Sequence, residues 1–204
     1  MDAVRLFLAI DIPPRAREII TAFQNRFKPL GFNVSWVAPE NVHLTLQFLG
    51  DTPPEQIPDI HQGVSAAVTP VPQFMATLKK IGVFPKLKKP PRILWVGMEA
   101  PKNRLTVLQK NIEKQMEEIG FPKEKRNFIP HLTLARIRQG QSGKRAKLER
   151  LKREIESSPE IEMEPFKIDA VRLIKSQLTH MGSIYTVLKE FPLGGQQKSN
   201  STNA

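Results

Sequence analysis

Apolar and polar residues follow two rhythms along this chain. One is the short β-rich run. VRLFLAIDI (4–12), FNVSWV (32–37), HLTLQFLG (43–50), PQFMATLKKIGVFP (72–85) and PRILWVGME (91–99) read as strands. The other is the helical repeat of every three to four residues. It predicts a helix over 14–29, opened by Pro13-Pro14, with Ile19, Ile20, Phe23 and Phe27 on one face. A second helix is expected over 54–68. A third runs from Asn103 to Ile119, with Leu105, Leu108, Ile112, Met116 and Ile119 aligned and Gly120 at its end. The order then partly repeats: a strand at 128–138, a helix at 144–156, and long strands at 166–178 and 182–193. GGQQKSNSTNA (194–204) offers almost nothing to bury and is expected to be a flexible tail.

The repeat carries an identical tetrapeptide. HLTL occupies 43–46 and again 131–134, a separation of 88 residues. Each copy sits on a strand and is followed by a helix and then a strand pair. That period is too long for a solenoid. It suits a duplicated α+β half, giving two similar lobes that face each other.

Side chains alternate along a strand, so His43 and Thr45 share one face while Leu44 and Leu46 share the other. His131 and Thr133 are related in the same way, opposite Leu132 and Leu134. Each motif presents an imidazole and a hydroxyl about 6.5 Å apart. Burying such pairs beside a core costs free energy unless something uses them. Two facing lobes would bring two histidines and two threonines into one cleft. An imidazole pair suits acid–base chemistry near neutral pH, and hydroxyls suit phosphoryl oxygens. The strand pattern supports this four-residue cluster but not which histidine is acid and which is base. His61, in the second helix, and His180, near a turn, are expected to be structural or surface residues.

Composition trims the alternatives. The chain of 204 residues has no cysteine, which excludes disulfides, thiolate metal sites and cysteine nucleophiles. No acidic residue lies in either tetrapeptide, so no metal site is expected there. No run has the length of a membrane helix. The first apolar stretch is flanked by Asp2 and broken by Asp11, unlike a signal peptide, so a cytoplasmic protein is expected. The net charge of +11 is concentrated beyond residue 78. KKIGVFPKLKKPPR (79–92) has six basic residues and no acid, and KRAKLERLKR (144–153) has a single acid. Such clusters attract polyanions.

Two H-x-T-x motifs in a duplicated α+β chain resemble the 2H phosphoesterase superfamily. The flanking text RLFLAIDIP, WVAPENVHLTLQFLG, IGVFP, PRILWVG, FIPHLTLAR and SIYTVLKEFPL is similar to the RNA 2′,3′-cyclic phosphodiesterases, also called 2′-5′ RNA ligases. The resemblance covers about residues 3–193. It implies an α+β, bilobal fold in which two antiparallel sheets face a central cleft, with helices outside. Residues 1–193 would form this single unit, with one H-x-T-x motif per lobe. It implies hydrolysis of an RNA 2′,3′-cyclic phosphate end to a 2′-phosphomonoester, without a metal or other cofactor. His43 would be the proton donor and His131 the proton acceptor, while Thr45 and Thr133 would bind the substrate's phosphoryl oxygens. Reversal with an RNA 5′-hydroxyl would make a 2′-5′ linkage.

Arg136 and Phe48 each lie five residues after a motif histidine. They are expected to bind substrate, one as a cation for phosphate and the other as an aromatic face for a base. Strict alternation turns both away from the histidines, so this needs a bulge or a strand end. Trp36 and Trp95 are expected in core or rim packing. The segment 79–92 is expected to follow the RNA backbone, and a monomer is expected because the chain supplies both facing halves. Competing readings are a phosphodiesterase for another cyclic phosphate, such as an ADP-ribose cyclic phosphate or a cyclic nucleotide, and a non-catalytic RNA-binding module.

Overall fold

The computed structural model describes residues 2–85, 90–138, 144–180 and 182–194. Residues 195–204 of the expected tail, and Lys86, Lys88 and Lys89 of the basic segment, lie outside the described residues. Among the described residues are nine strands and four α-helices. In chain order they are β1 (Val4–Ile10), α1 (Pro14–Phe27), β2 (Val34–Trp36), β3 (Leu44–Thr52), α2 (Ile57–Val68), β4 (Phe74–Phe84) and β5 (Ile93–Glu99). Then come α3 (Arg104–Glu118), β6 (His131–Ile137), α4 (Lys144–Glu156), β7 (Phe166–Ile168), β8 (Ala170–Thr179) and β9 (Gly182–Pro192).

The strands form an antiparallel path β7-β4-β5-β6-β3-β1-β8-β9, with β2 added beside β6. Along this path its two halves are joined by a single ladder pair, Leu44 of β3 with Leu132 of β6. The sequence predicts one strand over 166–178, and here the structure differs. β7 pairs with β4 and β8 pairs with β1, with only Asp169 between them. A backbone that changes partners within one residue must link distant parts of the path, so the sheet curls. The carbonyl of Asp169 accepts the Leu193 N–H at 2.7 Å, which ties the crossing to the end of β9.

The helices pack on one face of the curled sheet. Ile20 and Phe23 of α1, Ile60 and Val64 of α2, Ile112 and Met116 of α3 and Leu151 of α4 join one core. The strands add Leu6, Leu8, Leu44, Leu46, Leu132 and Leu134 to it. Leu44 and Leu132 are both fully buried, and a leucine so buried contributes about 1.5–3 kcal/mol. The junction between the half-sheets is therefore anchored from the outside. The other face carries a separate small cluster, Phe7, Ala9 and Ile174, with Tyr185 packed on it. This is the face on which the motif histidines lie.

Candidate active site

The pairing of Leu44 with Leu132 brings the two tetrapeptides side by side. Carried one residue each way, the antiparallel register sets Thr133 beside His43 and His131 beside Thr45. The leucines are buried, whereas both histidines and both threonines are half-buried, as alternation requires.

Each ring is held by the same local device. His43 Nδ1 lies 2.7 Å from the carbonyl of Asn41, and His131 Nδ1 lies 2.7 Å from the carbonyl of Ile129. A carbonyl only accepts, so Nδ1 carries the hydrogen in both rings, leaving Nε2 to exchange protons. The segments that supply these carbonyls are themselves braced. The Asn41 side-chain amide donates to the Ser183 carbonyl at 3.1 Å, and the Met98 N–H donates to the Pro130 carbonyl at 3.1 Å.

Aromatic rings flank both imidazoles. Phe7 stacks on His43 at 4.8 Å, and Tyr185 meets it edge-on at 5.4 Å. Phe84 meets His131 edge-on at 5.0 Å, with Trp95 at 6.2 Å. Burial lowers the pKa of both histidines, because a charged imidazole loses water there. The carbonyl bonds act in the opposite direction. Asp11 also favours the charged form of His43, and Arg136 disfavours that of both rings.

Arg136 and Phe48 reach the histidine face because both strands bulge. In β6 the register slips between Leu94–Ala135 and Trp95–Thr133, leaving Leu134 as the extra residue. In β3 it slips between Leu8–Gln47 and Ala9–Thr45, leaving Leu46 as the extra residue. Both extra residues are the last leucine of HLTL. Each bulge reverses the alternation that follows, so Arg136 turns toward both histidines. Phe48 comes within 6.1 Å of Phe7, with 54% of its surface exposed. Gln24 of α1 stabilises the β6 bulge. Its buried amide donates to the carbonyls of Val37 at 2.7 Å and Leu134 at 3.0 Å.

Sequence reasoning missed Phe7, Tyr185 and Phe84 as ring partners, and Asp11 as a charge near His43. A polar residue ending the apolar run of β1 was the available sign of Asp11. Trp95 is a rim residue and Trp36 packs against the core. His61 is remote from the pair, edge-on to Phe191 at 5.8 Å, and His180 is exposed. Of segment 79–92, Lys79 pairs with Glu99 at 2.6 Å. Among the described residues, no three His, Cys, Asp or Glu side chains cluster as metal ligands.

Known proteins resemble this chain over most of its length. The family model described as LigT like Phosphoesterase matches residues 10–95 and 96–185. An RNA 2′,3′-cyclic phosphodiesterase of Aquifex aeolicus is 38% identical over 96% of this chain and all of its own. One of Methanocaldococcus jannaschii is 36% identical over 92% of this chain and all of its own. A solved structure from Thermus thermophilus superposes with a TM-score of 0.77 at 27% identity, covering 95% of this chain and 100% of that one. With both motifs inside the matched residues, the chain belongs to the LigT-like phosphoesterases of the 2H superfamily.

Proposed function

We propose that this protein hydrolyses RNA 2′,3′-cyclic phosphate ends to 2′-phosphomonoesters, using His43 as proton donor and His131 as proton acceptor. The observation that carries this reading is the paired motif itself: two imidazoles on one face, each with Nδ1 held by a carbonyl and Nε2 left to work. In the forward step His131 Nε2 takes a proton from water as the water oxygen bonds to phosphorus. The bond from phosphorus to the 3′-oxygen breaks, and His43 Nε2 gives its proton to that oxygen. One water is added, and the two histidines end with their protonation states exchanged, to be reset by solvent. Thr45 and Thr133 donate hydroxyls to the non-bridging oxygens, and Arg136 offsets their charge. Phe48 offers an exposed ring for a base to stack on.

No metal or other cofactor enters these steps. With an RNA 5′-hydroxyl in place of water, the same displacement forms a 2′-5′ linkage: the 5′-oxygen bonds to phosphorus, the bond to the 3′-oxygen breaks, and the 2′-oxygen stays bound. Residues 1–193 act as one bilobal unit with one motif per lobe. A monomer suffices, because one chain supplies both motifs. No described helix is long and apolar enough to cross a membrane. The chain without cysteine fits a cytoplasmic setting.

The test is incubation in EDTA with an oligonucleotide ending in a 2′,3′-cyclic phosphate, beside His43→Ala and His131→Ala. A 2′-phosphate from the unaltered protein alone is expected. A 3′-phosphate, a requirement for metal, or RNA binding without turnover would each overturn the reading.

A further inference from the structure

The two motifs are alike in sequence and in the carbonyl that each ring holds, yet their neighbours across the sheet differ. Gly97 of β5 pairs with His131. On the other side Ile10 of β1 pairs with Leu44, and the same register carried one residue on sets Asp11 beside His43. One histidine faces a residue with no side chain, and the other faces a carboxylate.

That carboxylate is fixed from several directions. Its Oδ1 accepts the Ile12 N–H at 2.8 Å and Arg17 Nη2 at 2.5 Å, and its Oδ2 accepts from Arg172 Nη1. Arg172 is held in turn by Glu190, with Nε donating at 2.8 Å. α1, β8 and β9 thus orient one acid at the end of β1.

We propose that Asp11 is a positioning residue that makes the two histidines inequivalent, keeping the proton on His43 and leaving His131 free to accept one. This rests on the two-histidine reading above. The charges acting on His43 are Asp11 from β1, which favours its charged form, and Arg136 from β6, which opposes it. Tyr185 of β9 presents its ring, and Arg17 and Arg172 act through Asp11. Arg136 opposes the charged form of His131 as well, so it acts with the same sign on both rings, whereas Asp11 is a charge on His43 without a counterpart on His131.

The consequence concerns which molecules are competent. If two equivalent rings shared one proton, half of the singly protonated molecules would carry it on the wrong histidine. A tenfold preference, about 1.4 kcal/mol, reduces that half to about one in eleven. The preference also separates the two limbs of the pH profile, one set by each ring.

The test compares the unaltered protein with Asp11→Asn, Asp11→Glu and Arg172→Gln. Histidine ring titrations are followed by NMR, beside the pH dependence of kcat/KM. Asp11→Asn is expected to move the His43 midpoint and the alkaline limb down by about one pH unit, leaving His131 and the acid limb in place. Asp11→Glu restores both. Arg172→Gln strips a cation from Asp11 and moves His43 upward instead. A carboxylate that merely braced the fold would shift both rings, or shift them in the same direction in both variants. Either result, or an unmoved His43, overturns the proposal. Should Asp11→Asn fail to fold, Arg172→Gln decides alone: an upward move of His43 by itself supports the proposal, and no move overturns it. If the unaltered protein leaves the cyclic end intact, the function reading fails, while the NMR comparison still decides this one.

Discussion

Gly82→Ala adds one methyl group at the edge of the site, and its effect can be worked from distances. Gly82 pairs with Trp95 across β4 and β5. A Cβ there would stand 2.3 Å from Trp95 Cζ2, 2.4 Å from Cη2 and 2.8 Å from Cε2. Ordinary carbon contacts are about 3.5–4.0 Å, so the indole must retreat by about 1 Å or more. It has little room, because Phe84 lies 4.9 Å from one side and His131 lies 6.2 Å away. Overpacking of this kind costs about 1–3 kcal/mol. At about 2–4 °C per kcal/mol for a chain of this size, Tm should fall by several degrees. The indole's displacement also disturbs the ring beside His131, so kcat/KM should fall in the same variant. Thermal melts and kinetics would be measured for Gly82→Ala, Trp95→Phe and the double variant. Phenylalanine lacks the atoms that the methyl group meets, so the double variant should recover most of the loss in Tm that Gly82→Ala adds. An unchanged Tm in Gly82→Ala, or losses that simply add, would refute the reasoning.

Other consequences follow from the same geometry. Gln24→Met removes the two amide hydrogen bonds to the Val37 and Leu134 carbonyls, leaving that of Leu134 with the Val37 N–H alone; destabilisation of about 1–3 kcal/mol in urea unfolding and a weaker Arg136 contribution are expected. Arg136→Gln should lower kcat/KM by about tenfold to a hundredfold, as for loss of a charge-assisted hydrogen bond of about 1.5–3 kcal/mol. It should also move both limbs of the pH profile to higher pH, because Arg136 disfavours the charged form of both rings; a shift of one limb alone would contradict that. Folded-state pKa values of His43 and His131 lie below the ordinary value of about 6.5, so the unfolded chain binds more protons between the two. Stability is then full above that value and falls as pH drops through the folded values. Unfolding measured from pH 8 down to 5 should show a gentler slope in a His43→Gln, His131→Gln double variant; an identical slope would refute this sign.

Much of the site was legible from local pattern. Alternation within HLTL predicts buried leucines beneath exposed His and Thr, and a duplicated tetrapeptide predicts that two such faces meet. α1 and α3 follow from apolar spacing, which depends only on helical geometry. That Arg136 and Phe48 could serve the histidine face only through a bulge or a strand end was also legible, and the structure uses bulges. In both strands the alternation breaks after the motif, at Leu134-Ala135 and at Leu46-Gln47, where adjacent residues are buried together. The exchange of partners at Asp169 was not legible, since β7 and β8 follow each other with one residue between them and no Gly or Pro marks the break.

The sequence by itself determined which side chains could do proton chemistry and on which side of their strands they stand, because strand alternation and the absence of cysteine are properties of the chain alone. Only the tertiary structure decided what each histidine faces. The bulges at Leu46 and Leu134 depend on how many residues the neighbouring strand sets opposite them. The rings around His43 and His131 come from β1, β4, β5 and β9, far away in the chain. The difference between Asp11 and Gly97 exists only once β1 and β5 lie on opposite flanks of the paired motifs. Charge and burial act through space, so two identical tetrapeptides acquire different environments only when the chain has folded.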